Sequence, residues 1–363
     1  MAPRSSQSPG VSPFLVAIFG ITAASTAAIF IRYAQQGGAP SLVIAACRLS
    51  IATLVLAPWA LSRRRAELAA LTRRELGLAL LSGLFLSLHF ATWISSLEYT
   101  TVASSVVLVT TTPLWVAVLS PITLREPITR GQLVGMLAAL AGGVVIGVSD
   151  AGDTAARNPL LGDLLALAGA MMAASYIIIG RRLRKKMSLV SYTFVVYGAA
   201  AVMLVIFMLT GGYSPLGYPS VAYLWFVLLA LIPQLLGHSS INWALGYLSA
   251  ASVSTILLGE PIGSTILAVI LLHETPGAVK ILGAVLIAGV PEVLRDALQW
   301  MAGGMAGGTA GSAAGWRERF DNVVMARMLI FGAILIAVVV FRPQGLLPAR
   351  RPSVRIPPAE GDL

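Results

Sequence analysis

Leu97-Glu-Tyr-Thr-Thr-Val-Ala103 is answered, 148 residues further on, by Leu245-Gly-Tyr-Leu-Ser-Ala-Ala251. Downstream of each stretch, Pro113, Glu126 and Gly135 recur as Pro261, Glu274 and Gly283 at the same offset. A duplication inside an apolar chain is the mark of a membrane transporter built from two repeats. The composition agrees: of 363 residues, 57% are hydrophobic and 11% charged, with a mean hydropathy of +0.85. Soluble domains carry about 25% charged residues. The 73 residues from Met187 to Gly259 hold no Asp, Glu, Lys or Arg. Only a chain solvated by lipid, with spans of about 20 apolar residues, is built this way.

The sequence predicts an all-α polytopic membrane protein with ten transmembrane helices. They cover roughly 14–31, 41–61, 76–97, 102–121, 131–149, 161–180, 189–210, 222–244, 252–272 and 278–290, numbered here as spans 1 to 10. Phe14–Ile31, preceded by Arg4, reads as the first span and not as a cleaved leader. Gly131-x-x-x-Gly135 and the Ala166, Ala170, Ala174 series suit close helix packing. The net charge of +10 would suit a nucleic-acid partner. Its cations, however, sit between spans, where they set orientation, and no nucleic acid is expected. Arg4, Arg63, Arg64, Arg65, Arg73, Arg74, Arg125, Arg130, Arg181, Arg182, Arg184, Lys185 and Lys186 fall on one side, against Arg32, Arg157 and Lys280 on the other. This places both ends of the ten-span unit in the cytoplasm. Five spans per repeat then make the second copy inverted relative to the first, with a substrate site between the repeats near the midplane.

The domain reading is a cytoplasmic tail (1–13), a first five-helix repeat (14–149), a linker (150–160) and a second repeat (161–290). A Gly/Ala-rich linker (291–327) follows, then an apolar segment (328–341) and a basic, Pro-rich tail (342–363). The 14-residue segment is short for a span, so an eleventh transmembrane helix and an interfacial helix are both compatible with it. The single Cys47 excludes an intramolecular disulfide and a thiolate metal cluster.

Arg48 and Glu260 are the only strongly charged residues deep inside spans. Burying a charge in the bilayer core costs at least about 2.5 kcal/mol, so such groups face a cavity or a partner. Contact with substrate or ion and a structural pairing are both consistent with them. Pro113 and Pro261 each remove a backbone donor and kink their helix. The freed carbonyls line a cavity or are satisfied by Thr110, Thr111 or Thr112. His89 and Trp93 share a face of span 3, as His238 and Asn242 do in span 8 beside Trp243. Such faces suit a cavity for a partly apolar solute, although lipid anchoring of Trp and interhelical hydrogen bonds of His explain them equally. Thr111, Thr112, Tyr176 and Gln234 complete the candidate substrate contacts. Histidine also leaves proton coupling open. Glu126 and Glu274, closing spans 4 and 9, read as capping or loop-pairing residues. No Gly-x-x-x-x-Gly-Lys-Ser/Thr loop, His-Glu-x-x-His or Gly-x-Ser-x-Gly is present, so neither ATP hydrolysis nor a membrane enzyme is expected, and no metal or other cofactor.

These residues resemble the drug/metabolite transporter superfamily, EamA-type, over about 14–290. The resemblance rests on Ser41-Leu-Val-Ile-Ala-Ala-Cys-Arg48, on Leu97-Glu-Tyr-Thr-Thr-Val-Ala-Ser-Ser and on Thr112-Pro-Leu-Trp-Val-Ala-Val-Leu-Ser-Pro followed by Arg125-Glu126. In the second repeat it rests on Asn242-Trp-Ala-Leu, Gly259-Glu260-Pro261 and His273-Glu274. It implies a ten-helix inverted-repeat exporter of small metabolites in the inner (plasma) membrane, and an Arg and an acid common at positions 48 and 260. After Pro291-Glu292-Val-Leu-Arg295 the chain departs from that pattern. Arg327-Met-Leu-Ile-Phe-Gly and Phe341-Arg-Pro-Gln-Gly-Leu-Leu-Pro348 are similar to the end of branched-chain amino-acid ABC permease subunits. Two functions therefore compete: a secondary transporter of amino acids or similar solutes by alternating access, and the permease subunit of an ABC importer. The expected partners are a small-molecule substrate and the lipid bilayer, with homodimerisation left open.

Overall fold

The computed structural model describes residues 11–125 and 157–272. Among them every regular element is helical, and seven helical stretches are long and apolar enough to cross a membrane: Leu15–Gln36, Ser41–Arg63, Arg73–Tyr99, Ser104–Thr123, Pro159–Arg184, Leu189–Thr210 and Ser220–Ala244. They correspond to spans 1 to 4 and 6 to 8. Span 9 is present as shorter pieces: helix Ala250–Ile256, a 3-10 turn Leu257–Gly259, helix Glu260–Leu267 and a π turn Ala268–Leu272. Spans 5 and 10, Glu126, Glu274, residues 150–156 of the repeat-joining linker and the whole tail, including 328–341, lie outside the described residues.

Spans 2, 3, 6 and 7 hold together without interruption, and hydroxyls and an amide secure several helix starts. Thr72 and Glu75 form a reciprocal capping box at the start of span 3. Asn158 and Ser188 cap spans 6 and 7. Spans 1, 4, 8 and 9 are not plain α-helices. Span 1 breaks at Ser25-Thr26, between Pro13–Ala24 and Ala27–Gln36. Span 4 breaks at Thr110-Thr111, between Val102–Val109 and Thr112–Thr123. In span 8, Pro233 sits inside a nine-residue π stretch, Ala230–His238. A proline deprives the preceding turn of a donor, and the wider π winding is one way to absorb the defect.

The helices pair in a pattern that survives exchange of the repeats. Span 3 lies along span 6, and span 8 along span 1; span 7 packs on span 3, and span 2 on span 8; spans 2 and 7 pack on each other. Spans 4 and 9 meet antiparallel, Val102–Val109 against Glu260–Leu267 and Thr112–Thr123 against Ala250–Ile256.

Small residues permit these approaches. A Cβ on Gly83 would stand 2.6 Å from Ala199 Cβ and 2.9 Å from the Val196 carbonyl of span 7. One on Gly20 would meet Ser240 and the Gly237 carbonyl of span 8 at 2.8 and 3.0 Å. Ala166, Ala170 and Ala174 are fully buried on span 6. With lipid as apolar as the side chains, such close packing is a main source of helix association.

The cations segregate to two ends. Lys186 bridges Glu75 at 3.1 Å, joining the loops before spans 3 and 7. Glu67, in the short helix Arg65–Ala69 between spans 2 and 3, accepts the Ser188 N–H at 2.5 Å. At the other end Arg32 donates to the Leu97 and Thr100 carbonyls, and Arg157 lies over the Tyr99 ring.

Two outcomes follow from these contacts. Gly83→Val should lower yield and thermal stability sharply, by about 1–3 kcal/mol for an overpacked contact, whereas Gly77→Ala, with nothing within 4 Å of its Cβ, should not; thermal unfolding in detergent reads both. Partial burial of Glu67 would raise its pKa, but hydrogen bonds from the Ser188 N–H and hydroxyl and from Ser191, with Arg64 nearby, together hold it below the ordinary carboxylate value. A depressed folded pKa contributes stability that is present above the unfolded pKa and lost as pH falls through the folded one. Glu67→Gln should therefore destabilise the protein at pH 7 and flatten its melting profile below about pH 4.5.

Candidate functional site

The two helix breaks of the duplicated segment fall at matching positions. Thr110-Thr111 in span 4 corresponds, 148 residues on, to Leu258-Gly259 in span 9, and each break is followed by the conserved-offset proline, Pro113 or Pro261. Pro113 has no N–H to give the Val109 carbonyl one turn back. The Thr112 hydroxyl takes that place at 2.8 Å, and Thr110 and Thr111 donate likewise to Val106, Val107 and Leu108 carbonyls. The threonine run thus satisfies the carbonyls around the break. At span 9 the backbone is stitched to the break of span 1: the Ser25 hydroxyl donates to the Glu260 carbonyl at 3.4 Å, and the Ser264 hydroxyl to the Ser25 carbonyl at 2.9 Å. Gly263 leaves room for this, since a Cβ there would stand 2.5 Å from Ser25 Oγ.

Between the breaks lies a small cavity of about 40 Å³. Its walls are His89 and Trp93 of span 3, Val109, Thr110 and Thr112 of span 4, Tyr176 of span 6, His238 of span 8 and Glu260 of span 9, with Ala173, Ile177, Ile241 and Leu257 filling the gaps. A drug-sized ligand needs roughly 300 Å³ or more, so this conformation must widen to take one.

The candidate residues divide by location. His89, Trp93, Thr112, Tyr176, His238 and Glu260 come together on the cavity. His89 Nδ1 lies 2.9 Å from the Gly169 carbonyl. A carbonyl only accepts, so Nδ1 carries a proton. The ring stacks on Trp93, centroids 5.8 Å apart. Glu260 is partly exposed, into this cavity. Asn242 is fully buried behind the wall; it accepts from the Tyr176 hydroxyl at 2.7 Å and donates to Tyr197 at 3.1 Å.

Arg48 and Gln234 are also fully buried and stand one side chain back. Arg48 Nε donates to Gln234 Oε1 at 2.8 Å, tying span 2 to span 8. The guanidinium lies 4.2 Å over the Phe90 ring, whose edge meets His238 at 5.3 Å. Thr111 is buried and absent from the cavity wall, its hydroxyl spent on Leu108. Trp243 points elsewhere and packs on Tyr247, 4.6 Å between centroids. From Ser239 on, span 8 is α-helical, so Trp243, one residue past Asn242, falls about 100° round the helix on another face.

Phe90 and Tyr197 are contacts that sequence reasoning missed. Both are aromatic residues among many apolar ones and give no polar signal. Thr110 was read only as a hydroxyl donor, yet it also lines the wall.

Thr112→Val keeps the shape and removes the donor that replaces the missing Pro113 N–H. The variant should lose about 1–3 kcal/mol of stability, the cost of an unpaired buried carbonyl, read by thermal unfolding against the unaltered protein.

Comparison with known proteins follows from this geometry. The model of the EamA-like transporter family matches residues 12–148 and again 160–290, once for each repeat. One solved structure, described as "Crystal structure of protein", is 19% identical with a TM-score of 0.60, covering 78% of this chain and 98% of its own. At that identity the likeness shows the fold alone. No curated protein sequence matches.

Proposed function

Since the chain belongs to the EamA-like transporter family, matched over both repeats, we propose that it is a secondary transporter of small metabolites, amino acids or similar solutes, exporting them by alternating access. The observation that carries this reading is the meeting of two broken helices, spans 4 and 9, at matched positions around one polar-walled cavity. Broken helices at the midplane are where transporters of repeated architecture bind their cargo. The exchange-invariant pairing and the antiparallel contact of spans 4 and 9 support ten helices in two inverted five-helix repeats. Rocking one repeat against the other then opens the cavity to either side. The bias of cations to the end with Arg63–Arg65, Arg73, Arg74 and 181–186 supports a cytoplasmic position for that end and for the N-terminus, in a protein of the inner (plasma) membrane.

The test is transport in proteoliposomes with a panel of radiolabelled metabolites, with and without a proton gradient. Arg48→Ala and Glu260→Gln should each cut transport at least ten-fold while folded protein, measured by size exclusion, falls much less. Loss of folded protein in proportion to activity would assign that residue a structural role instead.

A further inference from the structure

Arg48 is 0% exposed in the middle of a membrane-spanning helix, yet only part of its hydrogen-bonding capacity is used. Nε is bound by Gln234 and one face of the guanidinium is covered by Phe90. Nη1 and Nη2, also buried, have no hydrogen-bond acceptor. A guanidinium that presents its two terminal nitrogens unmatched is a fork shaped for the two oxygens of a carboxylate. Glu260 is the one carboxylate lining the cavity, and Arg48 stands one side chain behind that wall, under the Phe90 ring that meets His238. No ion pair within 4 Å joins them among the described residues.

We propose that the free edge of Arg48 receives the carboxylate of the transported solute, and that each anion bound there brings one proton, taken up by Glu260. The idea rests on the transporter reading only in calling the anion a transported one. Charge balance supplies the argument. Glu260 shares the cavity wall with His89 of span 3, Tyr176 of span 6 and His238 of span 8, and Arg48 of span 2 stands behind that wall under Phe90. With both histidines and the tyrosine uncharged, Arg48 and Glu260 cancel. A bound carboxylate would leave one uncompensated negative charge in a medium that tolerates none cheaply. A proton from the bulk converts the Glu260 carboxylate to the neutral acid, restores the balance and removes the repulsion between two anions. No bond other than this O–H is made. A zwitterion such as alanine carries its own ammonium, which Glu260 can pair in ionised form, so it needs no proton. The site has one cation and little room, which favours a monovalent anion over a phosphate. His238 is on the cavity wall and its ring meets the Phe90 ring that covers Arg48, so an anion reaches Arg48 from the cavity only when these rings turn aside.

Isothermal titration calorimetry of the purified full chain in detergent, in two zwitterionic buffers of different ionisation enthalpy, counts protons taken up per molecule bound. The probes are lactate, alanine and chloride. Lactate should bind with about one proton and alanine with none. Glu260→Gln should bind lactate with the proton count reduced to zero. Arg48→Met should weaken lactate at least ten-fold, and Arg48→Lys, which keeps the charge and loses the fork, should fall between; thermal unfolding establishes that each is folded. The inference is overturned if lactate fails to bind the unaltered protein, if Arg48→Met binds it as well, or if the proton count survives Glu260→Gln. Chloride competing with lactate at equal affinity would overturn the carboxylate assignment. Proteoliposomes that still transport other solutes after any of these results leave the transporter reading standing, so the two failures are distinguishable.

Discussion

Hydrocarbon offers no hydrogen bonds, so every carbonyl released where a span breaks must find its donor inside the protein. That constraint organises the centre of this molecule. At span 4 the donors come from Thr110, Thr111 and Thr112, three consecutive hydroxyls placed against the turn that Pro113 disrupts. At span 9 no such run exists, and the break is joined to span 1 through Ser25 and Ser264. The polar material gathered to satisfy the two breaks also supplies part of the cavity wall. Thr110 and Thr112 serve both purposes. The site is thus a by-product of repairing helices at the depth where repair is most needed.

The two repeats answer this constraint unequally, and the asymmetry shapes the site. Span 3 runs as one α-helix from Arg73 to Tyr99, whereas its counterpart, span 8, carries Pro233 and unwinds into nine residues of π-helix. Gln234 and His238 sit in that stretch. The first turns toward Arg48 and the second toward the cavity. A symmetric pore would present the same groups from both repeats. Here a charged fork approaches from span 2 and an acid from span 9, with rings from span 3 between them.

Much of this was legible in the sequence because the governing signals are local and strong. The 148-residue offset marked the repeats, and charge-free runs marked the spans. The prolines at 113 and 261 announced the irregularities, which are a turn at Thr110-Thr111 and a 3-10 turn at Leu257–Gly259. Six of the eleven proposed contacts line the cavity, because polar residues in a lipid-facing chain are few and must be sheltered. The other five stand off the wall. Whether Thr111 or Thr112 turns inward depends on one residue of helical phase, and the phase past Pro233 cannot be read from a 3.6-residue repeat. Arg48 was recognised as buried, but only the geometry shows it held behind Phe90 instead of on the wall.

The glycines set a mechanical limit. At Gly20 and Gly237 the backbones of spans 1 and 8 touch, and at Gly83 span 3 nests into span 7 around Val196 and Ala199. A notch fitted to a ridge resists sliding: moving either pair by a fraction of a turn would bring the next side chain against backbone. Each pair therefore behaves as a stiff strut, able to pivot but not to shear. Compliance is left to the joints in spans 4 and 9, where the α-helical winding is already interrupted and hydroxyls can trade carbonyls as the angle changes. A motion that widens the cavity is easiest at these two joints, with the struts keeping their length.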